Sequence, residues 1–404
     1  MKAIKGGITA PKGFLASGVN CGIKKKNLDL GLVYSQKNAA CVGFFTSNKV
    51  KAAPVLLGIS RVKMPIHRAI IINSGCANCL TGKGGMQDAK LMAKKAAISL
   101  GVKETQVLPC STGGIGKKLK IKNIISKLPA LVSELSRSGS SEMAKAIMTT
   151  DTHPKQAACS FKIGNKEVKI GGIAKGAGMI APNMVYPEPK RGATTICVIT
   201  TDANVNKITL KTAAKEAISD SFNCITVDGA MSTNDTFFCL ANGASGVRIT
   251  PNSNAYEKFS KALSFVALAL AKMVAKDGEG ATKFVEVQVR GAKGVTQAKR
   301  VAFGVANSNL VKTALYGEDA NIGRVASACG ASDIGIKQEK LNIYFNGKLA
   351  VKNGTVYAIK GLDKIFKKTD IKIRCELKLG KASYRVFTSD LSTEYVKINA
   401  NYYR

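Results

Sequence analysis

The sequence predicts a mixed α/β (α+β) fold, on three observations. Short apolar, β-branched runs alternate with longer segments of helical apolar spacing along all 404 residues. Neither internal repeats nor low-complexity linkers interrupt that alternation. The composition, 45% hydrophobic and 22% charged, is that of a folded globular protein and excludes wholesale disorder. At about 150 residues per domain the length suggests two or three domains.

Taken in chain order, residues 88–100 place Leu91, Met92, Ala96 and Leu100 near one helical face. Thr194-Thr-Ile-Cys-Val-Ile-Thr is a continuous β-branched run, the pattern of a strand buried on both faces. Residues 210–222 put Ala213, Ala214, Ala217, Ile218 and Ser221 on one stripe. Tyr256, Phe259, Leu263, Val266, Leu270 and Val274 mark a longer helix that stops at Asp277-Gly278. Phe284-Val-Glu-Val-Gln-Val alternates with period two, as a half-buried strand does. Asn346-Gly347 between two apolar runs is a strong short hairpin signal.

The sharpest break is Ala181-Pro-Asn-Met-Val-Tyr-Pro-Glu-Pro-Lys-Arg-Gly192, whose prolines exclude a helix interior or a central strand. On pattern alone it is either a domain boundary or the place where a strand-leading nucleophile is exposed.

Several classes are excluded or weakened. The longest apolar stretch, Ala262–Ala271, falls short of the ~18 residues of a membrane span. The N-terminus carries no apolar targeting core, so a soluble, cytoplasmic protein is expected. Eleven scattered cysteines read as small buried hydrophobes rather than a disulfide framework. Cys76-Ala-Asn-Cys79 lacks a second pair at zinc spacing, and there are only two histidines, so no metal is expected. The net charge of +35 raises a nucleic-acid alternative. The lysines are spread singly, however, with short clusters at Lys24–Lys26 and Lys117–Lys122, and no recognition motif accompanies them. Such charge supports only salt-sensitive, non-specific binding.

Small polar residues gather beside glycine at Asn73-Ser-Gly, Ser111-Thr-Gly-Gly, Thr149-Thr-Asp-Thr, Asp228-Gly, Ser232-Thr-Asn-Asp and Asp277-Gly-Glu-Gly. Converging loops of this kind build a site, and a Thr-Gly-Gly turn can aim N–H groups at an oxyanion. A Ser-His-Asp triad would need His67 or His153, neither in a nucleophile-elbow context. A threonine freed as an N-terminus needs no histidine, because its own α-amine, of pKa about 7.7–8.0, is the base.

Lys175-Gly-Ala-Gly-Met-Ile-Ala-Pro-Asn-Met184, then Ala193-Thr194 and Thr200-Thr-Asp-Ala, closely resembles the signature of the ornithine acetyltransferase family. This is also the bifunctional glutamate N-acetyltransferase family of arginine biosynthesis. Ordered matches continue from Gly13-Phe-Leu-Ala-Ser-Gly through Pro109-Cys-Ser-Thr-Gly to Tyr395-Val-Lys-Ile-Asn-Ala, nearly the whole chain.

The resemblance implies a layered, N-terminal-nucleophile-like αββα sandwich that cuts itself between Ala193 and Thr194. The products would be an α chain (1–193) and a β chain (194–404), assembled as an α2β2 heterotetramer. Thr194 would accept acetyl from N-acetylornithine and pass it to glutamate. Thr112 and Gly113 match the oxyanion pair. Thr149 or Thr150, Lys175, Glu279 and Asn399 match substrate-binding positions. No cofactor is implied, and acetyl-CoA stays open as a co-substrate. Alternatives are an amidohydrolase or aminopeptidase of the same fold, or a pseudoenzyme that never matures. The chain departs from the family at Val185–Gly192, eight residues inserted before Ala193-Thr194, and at its last residue, Arg404, where the family tends to end in Ser or Thr. Thr195 is the alternative nucleophile.

Overall fold

The computed structural model describes residues 1–186, 195–333 and 335–401. Ala193, Thr194, Arg404 and most of the Val185–Gly192 insertion therefore lie outside the described residues. The chain divides into two compact units, Met1–Asn223 with Met231–Val274, and Cys224–Ala230 with Ala275–Arg404.

The first unit is organised by one long strand, Leu30–Phe45. Its first residues pair with Phe14–Val19 on one side and His67–Cys76 on the other, and Val107–Gly114 follows as an edge. Exposed Gln36, Lys37 and Asn38 accompany a register shift, after which Ala40–Phe45 pairs with Thr236–Ala241 instead. Ile196–Thr201, Lys166–Lys175 and Lys155–Ile163 continue the sheet from there. The bulge lets a single sheet fold onto itself.

The two halves meet across an apolar core. Phe14, Val33, Ile70, Ile72 and Leu108 of one half share a cluster with Ile173, Ile196, Val198, Phe238 and Leu240 of the other. Burial of each such side chain stabilises by about 1.5–3 kcal/mol relative to exposure. The outer face of the first half, Leu30, Leu32, Ala69 and Ile71, packs on helices Gly82–Leu100 and Ile121–Ser133. Helix Lys207–Ser219 packs on the second half, and Asn254–Lys276 meets it where Cys159 Sγ donates to Ala262 O at 3.5 Å. A side chain at Gly172 would meet Leu270 at 2.9 Å, which shows how closely that last helix sits. The order is helix, sheet, sheet, helix, as expected.

In the second unit, a six-stranded sheet includes Phe284–Ala292 between Asp370–Glu376 and Ala382–Ser389. Val285, Val287 and Val289 face the helices Val295–Ala306, Asn309–Tyr316 and Ile322–Ser332 in one cluster. The Asn346-Gly347 turn takes φ values of +46° and +89°, and joins Asn342–Phe345 to Lys348–Lys352.

Two expectations change. The proline-rich break is not a boundary between compact units, since both flanking strands belong to the first one. The helix expected over residues 88–100 starts earlier, at Gly82, and its added turns are held by buried Gly85 and by Met86, which packs against Ala53, Leu57 and Ala89. All eleven cysteines are buried and free.

Candidate active site

In the first unit the residues singled out in the sequence come from strand ends and one turn. Thr112 and Gly113 lie near the end of the edge strand Val107–Gly114. Lys175 closes the strand Lys166–Lys175. Thr149 and Thr150 sit in the turn between helix Ser140–Ala146 and strand Lys155–Ile163.

Lys175 joins them. Its Nζ donates to Thr149 Oγ1 at 2.8 Å and to Thr112 Oγ1 at 3.4 Å, with only 8% of the residue exposed. Of the two candidate threonines in the turn, Thr149 is thus the one that reaches Lys175. Gly113 has φ +126°, and a Cβ there would lie 2.4 Å from the Gly75 carbonyl carbon. Only glycine fits that conformation and that close approach.

Two buried carboxylates outside the matched positions interact electrostatically with Lys175. Asp151, buried in the same turn, accepts from Lys155 Nζ at 2.6 Å, from Gly176 N–H at 2.6 Å and from Thr149 N–H at 2.9 Å. Its Oδ2 is 4.0 Å from Lys175 Nζ. Burial alone would push this carboxyl up, but Lys175 and Lys155 together hold it well below the usual carboxylate range. In the sequence its only mark is the Thr149-Thr-Asp-Thr cluster, a carboxylate set among hydroxyls.

Asp235 is the opposite case. It is fully buried, and among the described residues neither carboxylate oxygen has a hydrogen-bond partner. Burial pushes it well above the carboxylate range, with Lys175 pulling the other way. It precedes Thr236, whose N–H donates to Thr195 O at 2.9 Å, so Asp235 stands beside the start of the strand Ile196–Thr201. Thr195 is itself buried.

Beside Thr149 and Asp151 opens a cavity of about 600 Å³ whose wall includes Lys24, Lys25, Lys26 and Lys145. Lys24 is anchored by Leu28 O at 3.0 Å and Met148 O at 2.6 Å, and burial pulls its ammonium down to about 8.

Glu279 and Asn399 belong to the second unit. Asn399 Nδ2 donates to Glu279 Oε2 at 2.7 Å, and Glu279 is 7% exposed. A Cβ on Gly280, at φ +66°, would meet Tyr395 N at 2.6 Å, so glycine seats this loop against the helix Thr393–Ala400. Tyr395 OH donates to Asp228 Oδ2 at 3.2 Å, and burial with that carboxylate raises its phenol. Among the described residues no group of three or more His, Cys, Asp or Glu is placed to hold a metal ion. No helix among them is long and apolar enough to cross a membrane.

Residues 15–404 match the ArgJ family model. The chain belongs to the ArgJ family. The arginine biosynthesis bifunctional protein ArgJ of Caldanaerobacter subterraneus is 44% identical across 100% of both chains. The glutamate N-acetyltransferase of Methanocaldococcus jannaschii is also 44% identical over 100% of each. Among solved structures, the ornithine acetyltransferase of Mycobacterium tuberculosis complexed with ornithine is 42% identical. That match covers 44% of this chain and 96% of its own, with a TM-score of 0.42.

Proposed function

We propose that this chain is the acetyltransferase of arginine biosynthesis that moves acetyl from N-acetylornithine to glutamate, through an acetyl-threonine at Thr194. Membership of the ArgJ family supports the transfer itself. The observation that carries the site is Lys175. It ties the Thr112 and Thr149 hydroxyls together, and it pairs in register with Ile196, the first residue of the strand that Thr194 precedes.

Cleavage between Ala193 and Thr194 exposes an α-amine that is a near-neutral base beside the hydroxyl. The hydroxyl oxygen attacks the acetyl carbonyl, and the amine takes its proton. Thr112 and Gly113 receive the oxyanion, and ornithine leaves with the proton on its nitrogen. The α-amine of glutamate then attacks the ester carbonyl; as the bond to Thr194 Oγ1 breaks, the proton that glutamate loses passes through the Thr194 amine to that oxygen, giving N-acetylglutamate and free Thr194. Lys175 is the counter-charge for a substrate carboxylate. Glu279, held by Asn399, is the counter-charge for the distal ammonium of ornithine. The enzyme works in the cytoplasm as an α2β2 heterotetramer without a metal or organic cofactor.

Intact mass with N-terminal sequencing tests this directly. Two chains, the second starting at Thr194, are expected; one uncut chain of full mass would remove Thr194 as nucleophile. Product analysis with and without glutamate separates transfer from simple hydrolysis. Relatives of equal identity carry both the bifunctional and the single-activity name, so acetyl-CoA as sole donor belongs in the same assay.

A further inference from the structure

Asn234 is buried in the Ser232–Asp235 loop, a polar cluster to which the transfer reaction assigns nothing. Its Nδ2 donates to Ser111 O at 2.8 Å and to Ala77 O at 2.7 Å. Both amide hydrogens are thereby spent on the strand Val107–Gly114 and on the residue that follows its neighbour His67–Cys76. The remaining oxygen accepts from Thr233 Oγ1 at 2.6 Å, and the Asn234 carbonyl accepts from Thr236 Oγ1 at 3.1 Å. A side chain with every polar group in use, 5% exposed, has one orientation.

The strand it grips is the edge strand of its sheet among the described residues. Within a strand, the N–H and C=O of successive residues face opposite edges. Pro109 has no N–H, so its position belongs to the unpaired edge, where strand prolines are found. Ser111 shares that parity, so Asn234 takes its carbonyl on the open edge, two residues before Gly113, where the pairing with His67–Cys76 becomes irregular. From the other side Ser111 Oγ donates to Asn73 Oδ1 at 2.6 Å, and Asn73 Nδ2 donates to Cys76 O at 2.9 Å.

We infer that Asn234 is a positioning residue for acetyl transfer: by clamping the Ser111 carbonyl to Ala77, it fixes the edge from which Thr112 and Gly113 meet the oxyanion. The inference rests on the oxyanion role of Thr112 and Gly113 proposed above. A donor preorganised in this way strengthens its bond only as the oxyanion forms, so its loosening shows in kcat rather than in KM.

The test is steady-state kinetics of N-acetylornithine and glutamate with Asn234→Ala and Asn234→Asp, beside Thr112→Ala and Gly113→Ala. Losing one oxyanion donor costs about 100- to 1000-fold in kcat, so a loosened pair is expected to lose roughly 10- to 100-fold, with KM moving less than about threefold. Combining Asn234→Ala with Thr112→Ala is expected to cost less than the product of the single losses, because both act on one group. If Asn234→Ala does not fold, Asn234→Ser carries the same test with one donor kept. An unchanged kcat in a folded variant, or a change confined to KM, overturns the inference. If Thr112→Ala and Gly113→Ala themselves leave kcat unchanged while the wild type transfers acetyl, the oxyanion assignment fails first.

Discussion

The Lys175 ammonium stands 4.0 Å from a carboxylate oxygen of Asp151 but gives its 2.8 Å hydrogen bond to the hydroxyl of Thr149. The shorter charge-assisted bond to Asp151 comes from Lys155 instead, at 2.6 Å with both side chains fully buried. The two lysines thus divide their work. Lys155 hydrogen-bonds the carboxylate, while Lys175 attracts it at longer range and donates to the hydroxyls of Thr149 and Thr112.

Replacing Lys175 by Met tests that division. The variant is expected to fold, because Asp151 keeps Lys155 and the Gly176 N–H. Hydrogen bonds to charged groups contribute about 1.5–3 kcal/mol, so kcat/KM for N-acetylornithine is expected to fall roughly 10- to 100-fold. Kinetics read beside a thermal melt check it. A large drop in Tm with little change in kcat/KM would make Lys175 structural.

Asp151→Asn is expected to behave the other way round. Removing one partner of a buried ion pair leaves Lys155 uncompensated, at a cost of about 3–5 kcal/mol. The pH dependence follows from the depressed carboxyl of Asp151. A folded-state pKa below the unfolded value gives stability that is complete above the ordinary carboxylate range and is lost as pH falls through the folded value. The gap in Tm between wild type and Asp151→Asn should therefore be full at pH 7 and narrow below about pH 4. A gap constant across that range would show that the carboxylate charge is not what stabilises.

Asp235 carries the reverse sign. Its folded-state pKa is raised, so the native state holds a proton that the unfolded chain releases. Stability then declines as pH rises from the ordinary carboxylate range toward the raised value. Asp235→Asn removes that titration, and its melting temperature relative to wild type is expected to be higher at pH 8 than at pH 5. Melts at the two pH values decide it. An equal offset at both would mean that Asp235 is ionised in the folded protein.

Much of the fold was legible because its signals are local. The period-two run from Phe284, the Asn346-Gly347 turn and the apolar stripe from Tyr256 each show within a dozen residues what the structure builds. The folding of one sheet into two layers was not legible in this way. It depends on exposed Gln36-Lys-Asn38 inside a strand otherwise buried, which reads locally as a loop. The site divides similarly. Thr112, Thr149 and Lys175 came from ordered resemblance, and the structure joins them through Lys175. Asp151, Asp235 and Asn234 lie in polar clusters beside glycine, where spacing alone gives them no role. What distinguishes them is burial and partnership with distant residues, Asn234 with Ser111 above all, and no spacing along the chain encodes that.

Gly113→Ala separates steric overlap from backbone strain. At φ +126° an alanine is strained, and its Cβ would fall 2.4 Å from the Gly75 carbonyl carbon, a backbone atom that cannot rotate away. Gly101 offers the comparison, since it has φ +64° at a helix end with nothing near the added carbon. Gly101→Ala carries only the left-handed penalty of about 1–2 kcal/mol. Gly113→Ala must add displacement of the Gly75–Cys76 backbone, and is expected to lower Tm further than Gly101→Ala does. It is also expected to reduce acetyl transfer by about 100-fold or more, the scale of a lost oxyanion donor, whereas Gly101→Ala leaves kcat near that of the wild type. Equal melting temperatures for the two variants would mean that the strand end yields to the added carbon. The close approach of Gly113 to Gly75 would then not be what holds this edge in place.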